Sequence, residues 1–116
     1  MDYRDLDVYK LGLEAFRLIV EDVKNFPDNT VGKIIMGQVI RSISSITANI
    51  AEGYGRKQGK EYLHYLYISR GSATESIDWY EKMKILGYIE ENIYKERVDR
   101  LEHIRAMLTK MINTLS

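Results

Sequence analysis

The sequence predicts an all-α fold, an up-down-up-down antiparallel four-helix bundle, with residues 1–116 forming a single domain. Apolar residues recur at helical spacing in four segments, whereas the alternation typical of a half-buried strand fits none of them. Clusters of turn residues separate the segments, and such short connections force consecutive helices to lie antiparallel. We therefore predict helices at about 5–25, 30–52, 59–86 and 90–114.

Apolar stripes define the first two helices. The stripe of the first helix consists of Val8, Gly12, Ala15, Phe16, Ile19, Val23 and Phe26. The stripe of the second helix consists of Ile35, Met36, Val39, Ile43, Ile46 and Ile50. The turn residues from Pro27 to Thr30 separate the two helices, and Gly53 is predicted to end the second. The β-branched residues of the second helix also suit strands, but their spacing favours a helix.

The third and fourth helices follow the same pattern. The stripe of the third helix consists of Tyr62, Leu63, Leu66, Ala73, Ile77 and Tyr80. The stripe of the fourth helix consists of Tyr94, Val98, Leu101, Ile104, Leu108, Met111 and Leu115. Between them, Gly87 stands where a C-terminal glycine cap is expected. Together, the four stripes form the predicted core.

The composition excludes several classes of function. The 17 basic and 17 acidic residues balance, so no net charge attracts the whole molecule to nucleic acid or to acidic lipid. The absence of cysteine excludes disulfides, thiol nucleophiles and thiolate metal sites. Because the apolar runs are short and no hydrophobic block follows the N-terminus, we expect a soluble, cytoplasmic protein without a membrane span.

Candidate catalytic groups are few. His64 and His103 have no partner at the spacing of metal ligands. The glycines of residues 53–60 lack the preceding strand that a phosphate-binding loop requires. We therefore predict no enzymatic activity, no cofactor, no metal and no small-molecule substrate.

Two apolar stripes lie outside the predicted core. The stripe on the first helix consists of Leu6, Leu13 and Val20, and the stripe on the third consists of Ile68, Ser72, Trp79 and Leu86. Gly71 lies beside the second stripe, where the lack of a side chain lets another backbone approach closely. Scattered apolar residues are also common on the surface of monomers. Because these residues are periodic and include tryptophan, we expect self-association into a homo-oligomer.

The second helix carries a polar outer face. Its residues are Gln38, Arg41, Ser45 and Glu52, with Ser42 and Asn49 on the flanks. Folding the third helix back places Arg41 within one turn of Glu75, so a charge-assisted pair between them is expected. The alternative is that these charges are simply solvated.

Basic residues crowd the turn between the second and third helices. Residues 30–60 contain five bases and one acid, a net charge of +4. Arg56, Lys57 and Lys60 lie in this turn with Tyr54, which could stack on an unpaired base. These four residues are the candidate nucleic-acid-binding site. The alternative is a basic turn that only contacts solvent.

Six short runs carry a resemblance to a known family. They are Asp5–Tyr9, Asn25–Pro27, Gln38–Arg41, Ser44–Gly53, Ser69–Ser72 with Glu75, and Leu86–Ile89. Over residues 5–89 the chain resembles the four-helix-bundle proteins encoded by intervening sequences of bacterial 23S rRNA genes. Two departures stand out, because the family often has proline where Thr47 stands and a second basic residue where Ile40 stands.

The resemblance implies a small bundle that assembles into a ring, commonly a pentamer, without catalytic activity and with a link to RNA biology. It also implies kinship with accessory proteins of diversity-generating retroelements, whose basic pentameric barrel is thought to bind nucleic acid and a reverse transcriptase. The neutral charge of this chain departs from that pattern. The polar motif residues, interpreted as structural or interfacial, are Gln38, Arg41, Asn49, Glu52, Arg70 and Glu75, with Ser72 beside them.

Taken together, these features predict a non-enzymatic, homo-oligomeric scaffold or adaptor whose main partner is itself. The alternative function is weak, sequence-poor RNA binding through the basic turn, with RNA or a ribonucleoprotein as the partner.

Overall fold

A computed structural model of the chain describes residues 2–56 and 59–116. Within these residues the protein is all-α, with four α-helices and no strand, as the sequence predicts. The helices are α1 (Asp7–Asp22), α2 (Thr30–Arg56), α3 (Gly59–Ile85) and α4 (Glu91–Leu115). Short 3-10 turns, Tyr3–Asp5 and Val23–Asn25, precede and follow α1.

Local hydrogen bonds explain where several helices begin and end. The carboxylate of Asp2 accepts the backbone N–H of Arg4, and Asp5 accepts the backbone N–H of Asp2, so the N-terminal turn has a capping box. The side chain of Asn29 accepts the N–H of Gly32 in the first turn of α2. Gly87 has a φ of 73°, which confirms the predicted glycine cap after α3.

The prediction that Gly53 ends the second helix is wrong, because α2 continues to Arg56. Gly53 instead lies where α3 crosses closely. A Cβ atom at this position would lie 2.7 Å from Cβ of Tyr65 and 3.1 Å from Cδ1 of Tyr62. The glycine therefore allows a close contact between two helices rather than a turn.

The helices surround a single core. Helix α2 packs against α1 and α3, α3 packs against α4, and α4 returns to α1. Hydrogen bonds join Ser42 to Ser76 and Ser45 to Ser72. Residue numbers therefore decrease along α3 in the direction in which they increase along α2. These contacts are consistent with an antiparallel bundle in which α1 and α3 occupy diagonal corners.

Most of the predicted stripe residues are buried in this core. The largest fully buried side chains include Ile19, Ile43, Ile46, Ile50, Leu66, Tyr80, Leu101, Ile104 and Leu108. Phe16 and Leu115 are exceptions, since the side chain of Phe16 is exposed on α1 and that of Leu115 is exposed at the end of α4. The core predictions for both residues are wrong, and the ring of Phe16 adds to the apolar surface of α1.

Helix α2 is the most apolar helix of the bundle. Its length and a mean hydropathy of 1.2 would suffice for a membrane span. However, Val39, Ile43, Ile46 and Ile50 are buried among the other helices. Core helices of globular proteins can be equally long and apolar, and the burial of these residues indicates that α2 is such a helix.

A buried ion pair joins three of the helices. The carboxylate of Asp22, at the end of α1, accepts hydrogen bonds from Nε and Nη2 of Arg97 in α4 at 2.8 and 3.0 Å. The phenol of Tyr80 in α3 donates to the same carboxylate at 2.7 Å. The side chain of Asp22 is only 5% exposed and that of Arg97 is 16% exposed. Burial, and then the Asp22 carboxylate, raise the pKa of Tyr80, so its phenol stays neutral and donates.

Candidate functional site

The exposed apolar face of α1 is formed by Leu13, Phe16 and Val20, at i, i+3 and i+7. Leu13 is 45% exposed and Val20 is 39% exposed, so both stand open to solvent. Leu6 was predicted to share this face. It is half-buried and packs against the core instead. The α1 face is therefore one helical stripe of three large apolar side chains, which a monomer leaves unpacked.

The exposed apolar face of α3 includes Ile68 and extends to Leu86 in the turn that follows the helix, and these residues are 38% and 44% exposed. Tyr67 and Ile85, which do not belong to the predicted stripe, are also exposed. Ser72 is buried, and its hydroxyl forms a hydrogen bond of 2.8 Å with Ser45 of α2. The prediction that Ser72 lies on the outer stripe is therefore wrong, because this small polar side chain pairs across the helix interface.

Trp79 lies between the core and the outer surface of α3. Its indole is half-buried and packs against the core cluster. The indole Nε1–H donates to the carboxylate of Glu75 at 3.1 Å, and the ammonium of Lys82 lies 4.9 Å from the ring centre. An aromatic side chain held between an acid and a base presents a rigid, partly desolvated surface, which is typical of interface hot spots.

Helices α2 and α3 are joined by a seam of small polar side chains. Ser69 donates to the carbonyl oxygen of Ile46 at 2.8 Å, and a hydroxyl contact of 2.8 Å joins Ser42 to Ser76. Asn49 donates to the backbone and side-chain oxygens of Ser45. Every buried polar side-chain atom in the described part of the chain has a partner. The seam sets the register of the two helices. Because Asn49 donates to Ser45, whose hydroxyl pairs with Ser72, the seam supports a structural role for Asn49.

The predicted pair between Arg41 and Glu75 does not form. Arg41 donates to the side chain of Gln38 on its own helix, whereas Glu75 accepts from Trp79. Each side chain forms a hydrogen bond with a residue one turn away on its own helix, and these bonds take the place of the predicted pair between helices. Arg41 is otherwise exposed on the surface of α2.

Two of the candidate nucleic-acid-binding residues, Arg56 and Tyr54, already contact other side chains of the protein. Arg56 forms ion pairs with Glu52 at 3.5 Å and with Glu61 at 3.3 Å, so nearby acids offset its charge. Lys60 is exposed at the start of α3. Tyr54 is half-buried and meets Tyr62 edge-on, with 6.1 Å between ring centres. Lys57 lies outside the described residues.

The two remaining motif residues point to different neighbours. Glu52 is exposed and pairs with Arg56, as described above. Arg70 lies on the side of α3 that contacts α4, where it donates to the hydroxyl of Thr109 at 3.3 Å. No group of three or more acidic or histidine side chains within residues 2–56 and 59–116 is arranged to hold a metal ion.

The fold and these surfaces define a class of protein: a small helical bundle with apolar faces on two helices and a hydrogen-bonded serine seam. Comparison with known families is more specific. The chain belongs to the 23S rRNA-intervening sequence protein family, whose model matches residues 4–110. The resemblance recognised from the sequence motifs is thereby confirmed.

A solved structure supports the same assignment. The fold is similar to the crystal structure of a protein of unknown function from the S23 ribosomal protein family of Bacteroides thetaiotaomicron. The two chains are 25% identical with a TM-score of 0.84, and the match covers 91% of this chain and 95% of the other. No curated protein matches the sequence.

Proposed function

We propose that the chain is an up-down-up-down bundle that associates with copies of itself and acts as a non-enzymatic cytoplasmic scaffold or adaptor. One observation carries the proposal: large apolar side chains stand open to solvent on both α1 and α3. Covering a valine, leucine or phenylalanine side chain contributes about 1.5–3 kcal/mol when burial is complete. Leu13, Phe16 and Val20 are 36–45% exposed, so covering the remaining surface of each contributes a part of that amount, about 0.5–1 kcal/mol per residue.

The positions of the two faces favour a ring. Because α1 and α3 lie at diagonal corners, their exposed faces point in different directions and cannot both be covered by one twofold contact. If the α1 face of one copy packs on the α3 face of the next, the contact is heterologous. Such contacts close into a ring or continue as a filament. The ring that the family resemblance implies, commonly a pentamer, follows this scheme.

Sedimentation velocity tests the proposal. The wild-type chain should sediment as an oligomer at micromolar concentration. Leu13→Glu places a charge in the α1 face, and it should give a folded monomer with unchanged helical circular dichroism. Ile34→Glu is the matched control, because Ile34 is a 57% exposed apolar residue on α2, outside both faces. A wild-type monomer, or equal dissociation by the control, would contradict the proposal.

RNA binding through the basic turn is the second candidate function. It is favoured by the exposed Arg56 and Lys60 on either side of the turn. The ion pairs of Arg56 weaken it, since an RNA phosphate would have to displace two carboxylates. Fluorescence anisotropy with a short single-stranded RNA, at low and moderate salt, provides the test. Binding should be steeply salt-dependent and lost in Arg56→Glu with Lys57→Glu, whereas binding that survives would exclude this turn.

A further inference from the structure

A cleft between α3 and α4 brings together two arginines from different helices. It is a shallow groove of about 510 Å³ that is widely open to solvent. The lining residues are Arg70, Thr74, Glu102, Arg105, Ala106 and Thr109. The cleft lies on the α4 side of α3, so it is separate from the serine seam with α2.

The two arginines are held in a reciprocal arrangement. Arg70 of α3 donates from Nη1 to the hydroxyl of Thr109 on α4 at 3.3 Å. Arg105 of α4 donates from Nη1 to the hydroxyl of Thr74 on α3 at 3.4 Å. Each arginine lies one helical turn from the threonine that receives the other, so the four side chains form a quadrilateral. The long bonds orient both guanidinium groups and leave most of their N–H donors unused.

Neither guanidinium is neutralised by a carboxylate. Most arginines of the chain form ion pairs within 4.0 Å, namely Arg4, Arg17, Arg56, Arg97 and Arg100. In the described part of the chain, Arg70 and Arg105 form none. Among the described residues, Glu102 is the one other charged group that lines the cleft, and it is exposed. Both arginines are half-buried, so solvent screens their charges less than it screens the exposed lysines.

We propose that this cleft binds a phosphate group. A tetrahedral oxyanion offers several acceptor oxygens at once, so both planar guanidinium forks can donate to it from opposite sides. The hydroxyl of Thr109 can add a further donor, whereas the hydroxyl of Thr74 already donates to the backbone carbonyl oxygen of Arg70. A carboxylate offers only two oxygens and would occupy one fork. Glu102 favours a single phosphate over a continuous polyanion, because its charge repels a second phosphate at the same end. The site does not depend on self-association or on the basic turn.

Calorimetric titration with inorganic phosphate and with adenosine 5′-monophosphate, in a low-salt buffer otherwise free of phosphate, tests the site. Charge-assisted hydrogen bonds contribute about 1.5–3 kcal/mol each, so Arg70→Gln and Arg105→Gln should each weaken binding at least about tenfold. Glu102→Gln should strengthen it. Lys95→Gln is the control, since it removes the same charge from an exposed position of α4 and should leave binding unchanged.

Two further measurements separate the outcomes. Arg70→Lys and Arg105→Lys keep the charge but lose the fork, and they should bind more weakly than wild type with the same helical circular dichroism. A short RNA with a 5′-phosphate, compared with the same RNA ending in a hydroxyl, shows whether the phosphate belongs to a small molecule or to an RNA end. Saturable binding of either phosphate that requires both arginines supports the site. The site is overturned if no binding saturates, or if both glutamine variants bind as tightly as the wild type.

Discussion

Replacing Asp22 with asparagine should lower the free energy of unfolding by several kcal/mol, although the two side chains have nearly the same size. The carboxylate accepts three hydrogen bonds, two from Arg97 and one from Tyr80, and it is almost fully buried. An amide can accept some of these bonds, but it carries no charge. The guanidinium of Arg97 would then be left largely buried with only the exposed carboxylate of Glu96 to offset it.

The size of this effect follows from the burial of the pair. Breaking a buried ion pair by removing one partner costs about 3–5 kcal/mol. Because Glu96 still contacts Arg97, and because Arg97 is 16% exposed, we expect a loss near the lower end, about 3 kcal/mol. That is a large share of the roughly 5–15 kcal/mol that stabilises a typical domain.

Urea denaturation followed by circular dichroism measures this loss. Glu14→Gln is the matched control, since Glu14 pairs with Arg17 on the surface of the same helix and should cost less than about 1 kcal/mol. Arg97→Met in the Asp22→Asn background removes the orphaned charge and should restore part of the stability. If Asp22→Asn costs no more than Glu14→Gln, the ion pair does not hold the three helices together.

Three other substitutions test separate parts of the structure. Gly53→Ala should lower the free energy of unfolding by about 1–3 kcal/mol, because the added Cβ atom would collide with an α3 tyrosine. Gly71→Ala has no neighbouring atom within 4 Å and should raise it by up to about 1 kcal/mol in the dissociated chain, measured by the same urea titration at low concentration. Tyr80→Phe tests pH dependence. Because burial raises the pKa of Tyr80, its contribution is present below about pH 10 and is lost as the unfolded phenol ionises above it, by about 1.4 kcal/mol per pH unit. The variant should be less stable at neutral pH yet lose less stability in alkali, and an alkaline loss equal to that of wild type would contradict the assignment.

The helices were predictable from the sequence because the apolar residues that each helix buries recur at helical spacing along its segment. The same periodicity identified Leu13 and Val20 as a stripe outside the core, and both are exposed. The end of α2 was not predictable in this way. Gly53 was predicted to end the helix. Its lack of a side chain instead allows α3 to pack closely against α2, and this contact between distant segments cannot be read from the local sequence.

Polar contacts between helices were the least predictable feature. Ser72 was placed on the outer stripe because it lies one helical turn from Ile68, but a hydroxyl on α2, that of Ser45, pairs with it in the interior. The serines at positions 69, 72 and 76 follow helical spacing, and this stripe could have indicated the seam. Asp22 and Arg97 are 75 residues apart, and no local pattern links them. The Arg70–Arg105 cleft likewise requires the register of α3 against α4.

The environment of Trp79 gives the most direct test of self-association, since it is the chain's one tryptophan and lies on the α3 face. Its fluorescence can be recorded in the presence of acrylamide for the wild type and for Leu13→Glu. If the α1 face of one copy covers the α3 face of the next, wild-type emission should lie at shorter wavelength and be quenched less than in the variant. Identical spectra and identical quenching in both proteins, at every concentration, would contradict a contact between these two faces.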